Sequence, residues 1–173
     1  MTAMKVVTPR LIIREPQDGD AEALLEARNS EFVNRYNAYP KVSLEEFKEE
    51  IRELPSFVMT NREDGSPIGC LYLKEDPIRY QTGSKEIAGW FKEEYAHKGL
   101  ASELLSPLIK KLFEEGFARR FATHVLPGNA ASIRLMEKMG FKQEGYLKEA
   151  LLDENGEPSD VILYSMGKDD CPF

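Results

Sequence analysis

At 173 residues, with 42% hydrophobic and 31% charged, the chain has the length and composition of one ordinary globular domain with a real core. A net charge of -7 disfavours wholesale binding to nucleic acid or anionic membrane, and would tolerate a cationic partner such as an amine or a basic protein tail. Two cysteines, Cys70 and Cys171, point away from a disulfide framework or a C-x-x-C metal or redox motif, and no apolar run approaches the ~20 residues of a membrane helix.

In chain order, the opening MTAMKVV is too short and mixed for a signal peptide, so a cytoplasmic location is the default expectation. Residues 8–14 (TPRLIIR) read as a first strand. Asp18 and Asp20 offer N-cap oxygens to a helix through AEALLEA, and residues 29–40 read as irregular. Ser43 and Glu46 form a capping box ahead of a second helix that places Leu44, Phe47, Ile51 and Leu54 near one face. Residues 56–60 and 68–73 read as a hairpin around Asp64-Gly65, residues 74–84 as a loop, and residues 85–92 (KEIAGWFK) as a further strand. Ala101, Leu104, Leu105, Leu108, Ile109, Leu112 and Phe113 then recur at helical spacing, with Gly116 at the C-terminal cap. Pro107 interrupts them at a cost of about 3 kcal/mol, which predicts a kink or a later start. A strand over 117–125, a helix over 129–139 closed by Gly140, and a strand pair over 143–152 and 160–166 around Asn155-Gly156 complete the chain. Such interleaving implies an α/β sandwich with helices on the faces of a sheet, in a single domain spanning 1–173.

Two segments carry chemistry. In EEYAHKGLASELL (93–105) a strand runs through a short loop with Gly99 directly into an amphipathic helix. A helix N-terminus presents free N–H groups and partial positive charge, and glycine admits close backbone approach, so the turn suits a diphosphate. Lys98 could add a charge and Ser102 a hydroxyl; the bland alternative is a chain turn and a helix cap. Neither G-x-x-x-x-G-K-S/T nor G-x-G-x-x-G occurs, which argues against a P-loop or dinucleotide fold. In PGNAASIRLMEKMGF (127–141), Asn129 can cap a helix and Ser132 lies within its first turn, or both can face a ligand.

Taken together and in order, these segments resemble the GNAT superfamily over nearly the whole chain. AHKGLA (96–101) is similar to that family's R/Q-x-x-G-x-G/A loop, NAASIRLMEKMGF to its N-x-x-S helix, KEIAGWF to the strand before the loop and TPRLIIRE to its first strand. The ending DENGEPSDVILYSM is similar to the closing hairpin of the branch that includes ribosomal-protein alanine N-acetyltransferases. The resemblance implies a mixed, mostly antiparallel sheet of about seven strands flanked by about four helices, splayed between its fourth and fifth strands near Trp90 and Thr123. It implies acetyl-CoA as co-substrate, with no metal. The diphosphate would lie on backbone N–H groups of His97, Lys98, Gly99, Leu100, Ala101 and Ser102. The pantetheine would lie in the splay beside Trp90 and Phe91, bonded by Asn129. An acceptor amine would attack the thioester directly, with a backbone N–H between Gly89 and Phe91 polarising the carbonyl.

Two departures matter: Ala96 stands where the family has Arg or Gln, and Met136 where many members have a tyrosine acid. Ser132 is the substitute partner for the leaving thiolate. Glu86 is the candidate base through water, with a solvated edge charge as its bland reading; His97 faces solvent or CoA, and His124 has no assigned role. Tyr36, Tyr39 and Trp90 are candidates to line the acceptor pocket, against the alternative of plain core packing. At pH 7 roughly 15% of α-amines but roughly 0.04% of lysine side chains are neutral, an advantage of about 2.5 pH units for a protein N-terminus as acceptor. A small-molecule amine and a non-catalytic acyl-CoA-binding module are the competing readings.

Overall fold

The computed structural model describes residues 4–173. Its strands are β1 (Lys5–Val7), β2 (Leu11–Arg14), β3 (Ser56–Asn61), β4 (Pro67–Glu75), β5 (Ser84–Phe91), β6 (Arg120–Val125), β7 (Lys142–Leu152) and β8 (Pro158–Gly167). They form one sheet in the order β1-β2-β3-β4-β5-β6-β8-β7, antiparallel except for the β5–β6 pair. The helices are α1 (Asp20–Arg28), α2 (Glu31–Asn37), α3 (Leu44–Glu53), α4 (Leu100–Glu114) and α5 (Ala130–Met139).

Strand alternation sorts the apolar residues onto two faces. Phe57, Met59, Leu71, Leu73, Ile87 and Phe121 point one way and pack under the α4 stripe of Leu104, Leu108, Ile109 and Leu112. Val58, Cys70, Tyr72 and Trp90 point the other way and are covered by Leu24, Phe47 and Ile51 of α1 and α3. The Ser43–Glu46 capping box forms as expected, with both of its hydrogen bonds present.

The sheet has eight strands where seven were expected. Lys5–Val7 is a separate three-residue strand, too short to show alternation, and Thr8 lies in the turn between β1 and β2. The region read as irregular holds α2, capped by Ser30, whose hydroxyl accepts from the Val33 N–H. This makes five α-helices among the described residues, where about four were expected. Pro107 does not delay α4, which runs unbroken from Leu100. Its ring sits on the exposed face, and seven buried apolar side chains on the opposite face offset the lost bond. Among the described residues no helix is long and apolar enough to cross a membrane.

Candidate active site

β5 and β6 pair only at Ser84↔Arg120, Lys85↔Phe121 and Glu86↔Ala122. Beyond that point β5 keeps its register with β4, and β6 keeps its register with β8. The two strands therefore part, in the place the resemblance implied. The closed end is pinned by buried Asp76, which accepts from the Ser84 hydroxyl at 2.6 Å and the Ile78 N–H at 2.9 Å, and by Arg119 N–H donating to Gly83 C=O at 2.8 Å. At the open end the Lys92 N–H donates to Ile68 C=O at 2.8 Å, on the β4 side. Alternation then turns the N–H groups of Gly89 and Phe91 into the gap, where a strand-like ligand can complete the sheet.

A cleft of about 690 Å³ follows this gap from α2 to the start of α4. After β5 the chain makes a short 3-10 turn, Glu93–Tyr95, and enters the loop through Ala96. His97 has φ 58° and Gly99 φ 75°, both left-handed. For His97, which has a Cβ, that conformation costs about 1 kcal/mol or more and marks a shaped loop. Gly99 is the N-cap of α4 and supplies no side-chain cap bond, so the first N–H groups of the helix stay open. The Ser102 hydroxyl donates back to Gly99 C=O at 3.1 Å and leaves these N–H groups free. His97, Gly99, Leu100, Ala101 and Ser102 all line the cleft; Lys98 does not. Its ammonium lies over the Tyr95 ring, 5.8 Å from the centroid, beside a smaller cleft behind the loop. The cations lining the main cleft are Arg134 and Lys138 from α5, with Lys138 Nζ 3.4 Å from Ser102 Oγ. The reading of residue types passed over both, although Ala131, Arg134, Leu135 and Lys138 share one helix face at i, i+3, i+4 and i+7.

Asn129 caps α5, with Oδ1 accepting from the Ser132 N–H at 3.2 Å. Its Nδ2 donates to Ser132 Oγ at 3.0 Å. The cap therefore takes the Asn129 oxygen, leaves one Nδ2 hydrogen, and turns the Ser132 hydroxyl into a free donor on the cleft wall. Met136 lines the same wall and is buried.

On the other face of the sheet, Glu86 Oε1 lies 2.8 Å from His124 Nδ1, and both side chains are largely sheltered. Nothing in the local sequence joins these residues, which lie 38 positions apart; their pairing follows from Glu86 and Ala122 being register partners. In the neutral tautomer that donates Nδ1–H to Glu86, the Nε2 of His124 is an acceptor. His124 lines the cleft, as do Trp90, Phe91 and Tyr36. Tyr36 is 40% exposed and faces Gly128 across the mouth. Tyr39 is not part of that wall: it packs edge-on to Tyr72 and under Arg28, whose guanidinium is 4.5 Å from its ring, while burial pushes its phenol well above the usual range. Cys70 is fully buried, and burial likewise holds its thiol far above the usual range, so it is no nucleophile. Among the described residues no cluster of His, Cys, Asp or Glu could hold a metal.

The family model for the Acetyltransferase (GNAT) domain matches residues 10–142. An uncharacterised N-acetyltransferase of Bacillus subtilis, YoaA, is 30% identical, with 93% of this chain and 95% of that protein aligned. The putative ribosomal N-acetyltransferase YdaF of the same organism is 26% identical over 94% of this chain and 91% of its own. A GNAT-family acetyltransferase from Bacillus anthracis has a similar crystal structure, with a TM-score of 0.84, 25% identity, and coverage of 96% of this chain and 99% of that one.

Proposed function

The chain belongs to the GNAT acetyltransferase family, and on that premise we propose that it moves the acetyl group of acetyl-CoA directly onto a primary amine, with a protein N-terminal α-amine as the favoured acceptor. The observation that carries the reading is the uncapped N-terminus of α4 at the end of the β5–β6 gap. The open N–H groups of that first turn would hold the diphosphate, with Arg134 and Lys138 adding charge. The gap would take the pantetheine as an added strand edge, and the N–H of Gly89 or Phe91 would polarise the thioester carbonyl.

His124 Nε2, backed by Glu86, would take the proton of the attacking amine directly or through one water. The amine nitrogen bonds to the carbonyl carbon, the carbon–sulfur bond breaks, and the thiolate departs. The free Ser132 hydroxyl would stabilise that thiolate by a hydrogen bond in place of the tyrosine that Met136 replaces. Direct transfer needs no protein nucleophile, and Cys70, buried in the core and absent from the cleft lining, offers none. The preference for an α-amine rests on the likeness to a putative ribosomal N-acetyltransferase and on the larger neutral fraction of α-amines at pH 7.

The test is to mix the protein with acetyl-CoA and a panel of short peptides with free N-termini, N-blocked lysine peptides and small amines, and to follow free thiol. Release with free N-termini but not with blocked peptides is the expected result; release only with small amines would overturn the acceptor assignment. A CoA-dependent thermal shift with no release across the panel would favour a non-catalytic acyl-CoA-binding module, the reading that Met136 suggests. In an active protein, Glu86→Gln should slow turnover most at low pH, where the amine is charged; a pH–rate profile identical to the parent's would remove Glu86 from the mechanism.

A further inference from the structure

Within the loop that forms the diphosphate cradle, no side chain bonds the Lys98 carbonyl; the Ser102 hydroxyl reaches only Gly99 C=O. Ala96 offers only a methyl group, and Gly99 offers no side chain at all. Two left-handed residues in succession of three, His97 and Gly99, nevertheless hold it in one shape. The holding contacts come from the far end of the chain, at the start of β2. Arg10 Nη1 donates to Lys98 C=O at 2.9 Å, and Arg10 Nε donates to Glu103 Oε2 at 2.7 Å. The other oxygen of Glu103 accepts from the Arg10 N–H at 2.8 Å and from the Thr8 hydroxyl at 2.6 Å. One guanidinium thus bridges the carbonyl just before the N-cap and a carboxylate in the first turn of α4. It grips the carbonyl side of the turn and leaves the N–H side open.

We propose that Arg10 is a positioning residue for the acyl donor: it straps the 97–99 turn to the first turn of α4 so that the backbone N–H groups converge on the CoA diphosphate. The fork geometry matters, because a planar guanidinium can reach the carbonyl and the carboxylate together, whereas a single ammonium cannot hold both directions. The strap also explains how Ala96 is tolerated. The inference rests on the donor-binding reading above and deepens it.

Titration of the full-length protein with CoA and with pantetheine, which lacks the diphosphate, separates a role in the cradle from a general loss of structure. Arg10→Met is expected to weaken CoA about tenfold and to leave pantetheine unchanged. Arg10→Lys should restore only part of that loss. Arg62→Met removes a neighbouring bond from Arg62 Nη1 to Thr8 C=O (3.0 Å) without touching the loop, and should bind CoA as the parent does. The proposal is overturned if Arg10→Met binds CoA as tightly as the parent, or if it loses CoA and pantetheine by the same factor. A parent protein that ignores CoA altogether would instead defeat the donor-binding reading and the strap with it.

Discussion

The two helices that border the β5–β6 gap begin in opposite ways. α5 closes its own N-terminus: Asn129 accepts from the Ser132 N–H and also donates to the Ser132 hydroxyl, so the cap is local and complete within four residues. α4 leaves its N-terminus open behind a left-handed glycine, and is held instead by Arg10 and Thr8, more than 85 positions away in sequence, through bonds to Lys98 and Glu103. The Ser132 N–H of α5 is taken by its cap, so what that first turn offers a ligand is the Ser132 hydroxyl and not that amide. A helix that must bind an anion on its N–H groups has to be stabilised from behind, because a side-chain cap would occupy the ligand's place.

The comparison can be broken most sharply at Gly99. Valine cannot adopt φ 75° without strain, so Gly99→Val should close the cradle and reduce CoA affinity at least ~100-fold by calorimetry; unchanged affinity would show that the open end is not the donor site. At the start of α5, Ser132→Ala removes a donor without altering the cap acceptor. Turnover should fall about tenfold, the worth of one hydrogen bond to a charged group, while CoA affinity stays near the parent's. Turnover at the parent level would take Ser132 out of the thiolate step. Asn129→Ala should cost about 1 kcal/mol of stability in urea, the ordinary value of a lost N-cap, and change CoA affinity only a few-fold. A large loss of CoA with little loss of stability would mean that the start of α5 binds donor as well.

The smallest effect is a pH dependence confined to the open end. Burial raises the Glu103 pKa, but the hydrogen bonds from Thr8 and Arg10 outweigh it and hold the carboxyl below its ordinary range. A depressed carboxylate contributes fully above its unfolded pKa of about 4.3 and loses that contribution as pH falls through the lower folded value. CoA affinity of the parent relative to Glu103→Gln should therefore be constant from pH 8 down to the ordinary glutamate pKa of about 4.3, and converge only as pH falls further and the carboxyl takes up its proton. Convergence already at neutral pH would show that the carboxylate charge is not what holds the strap.

The local devices were legible in the residues. The capping box at Ser43–Glu46, the α4 stripe, the glycine before that helix and the Asn129 cap all depend on neighbours within about four positions. The short strand β1 and the helix α2 were missed because three and seven residues are too few for a hydrophobic period to declare itself. The Lys98 side chain was a candidate extra charge for the cradle, but its ammonium turns to Tyr95, on the other side of the loop. Tyr39 was grouped with Tyr36, but it packs half-buried against Arg28 and Tyr72 and is absent from the cleft lining.

By itself, then, the sequence determined the order of the longer elements, the caps at Ser43 and Asn129 and the turn that can face a diphosphate, since φ preference and hydrogen bonds to near neighbours decide these things. α1 departs from that, because its N-cap is left-handed Gly19 and the Asp20 carboxylate is taken by Arg14 and the Gln17 N–H. Tertiary structure alone decided the gap between β5 and β6, the pairing of Glu86 with His124, and the grip of Arg10 on Lys98 and Glu103. Each of those arises from strand register and from contacts between residues far apart in the chain. Which side chains then meet is set by how the whole sheet aligns, and residue type and short-range spacing carry no record of it.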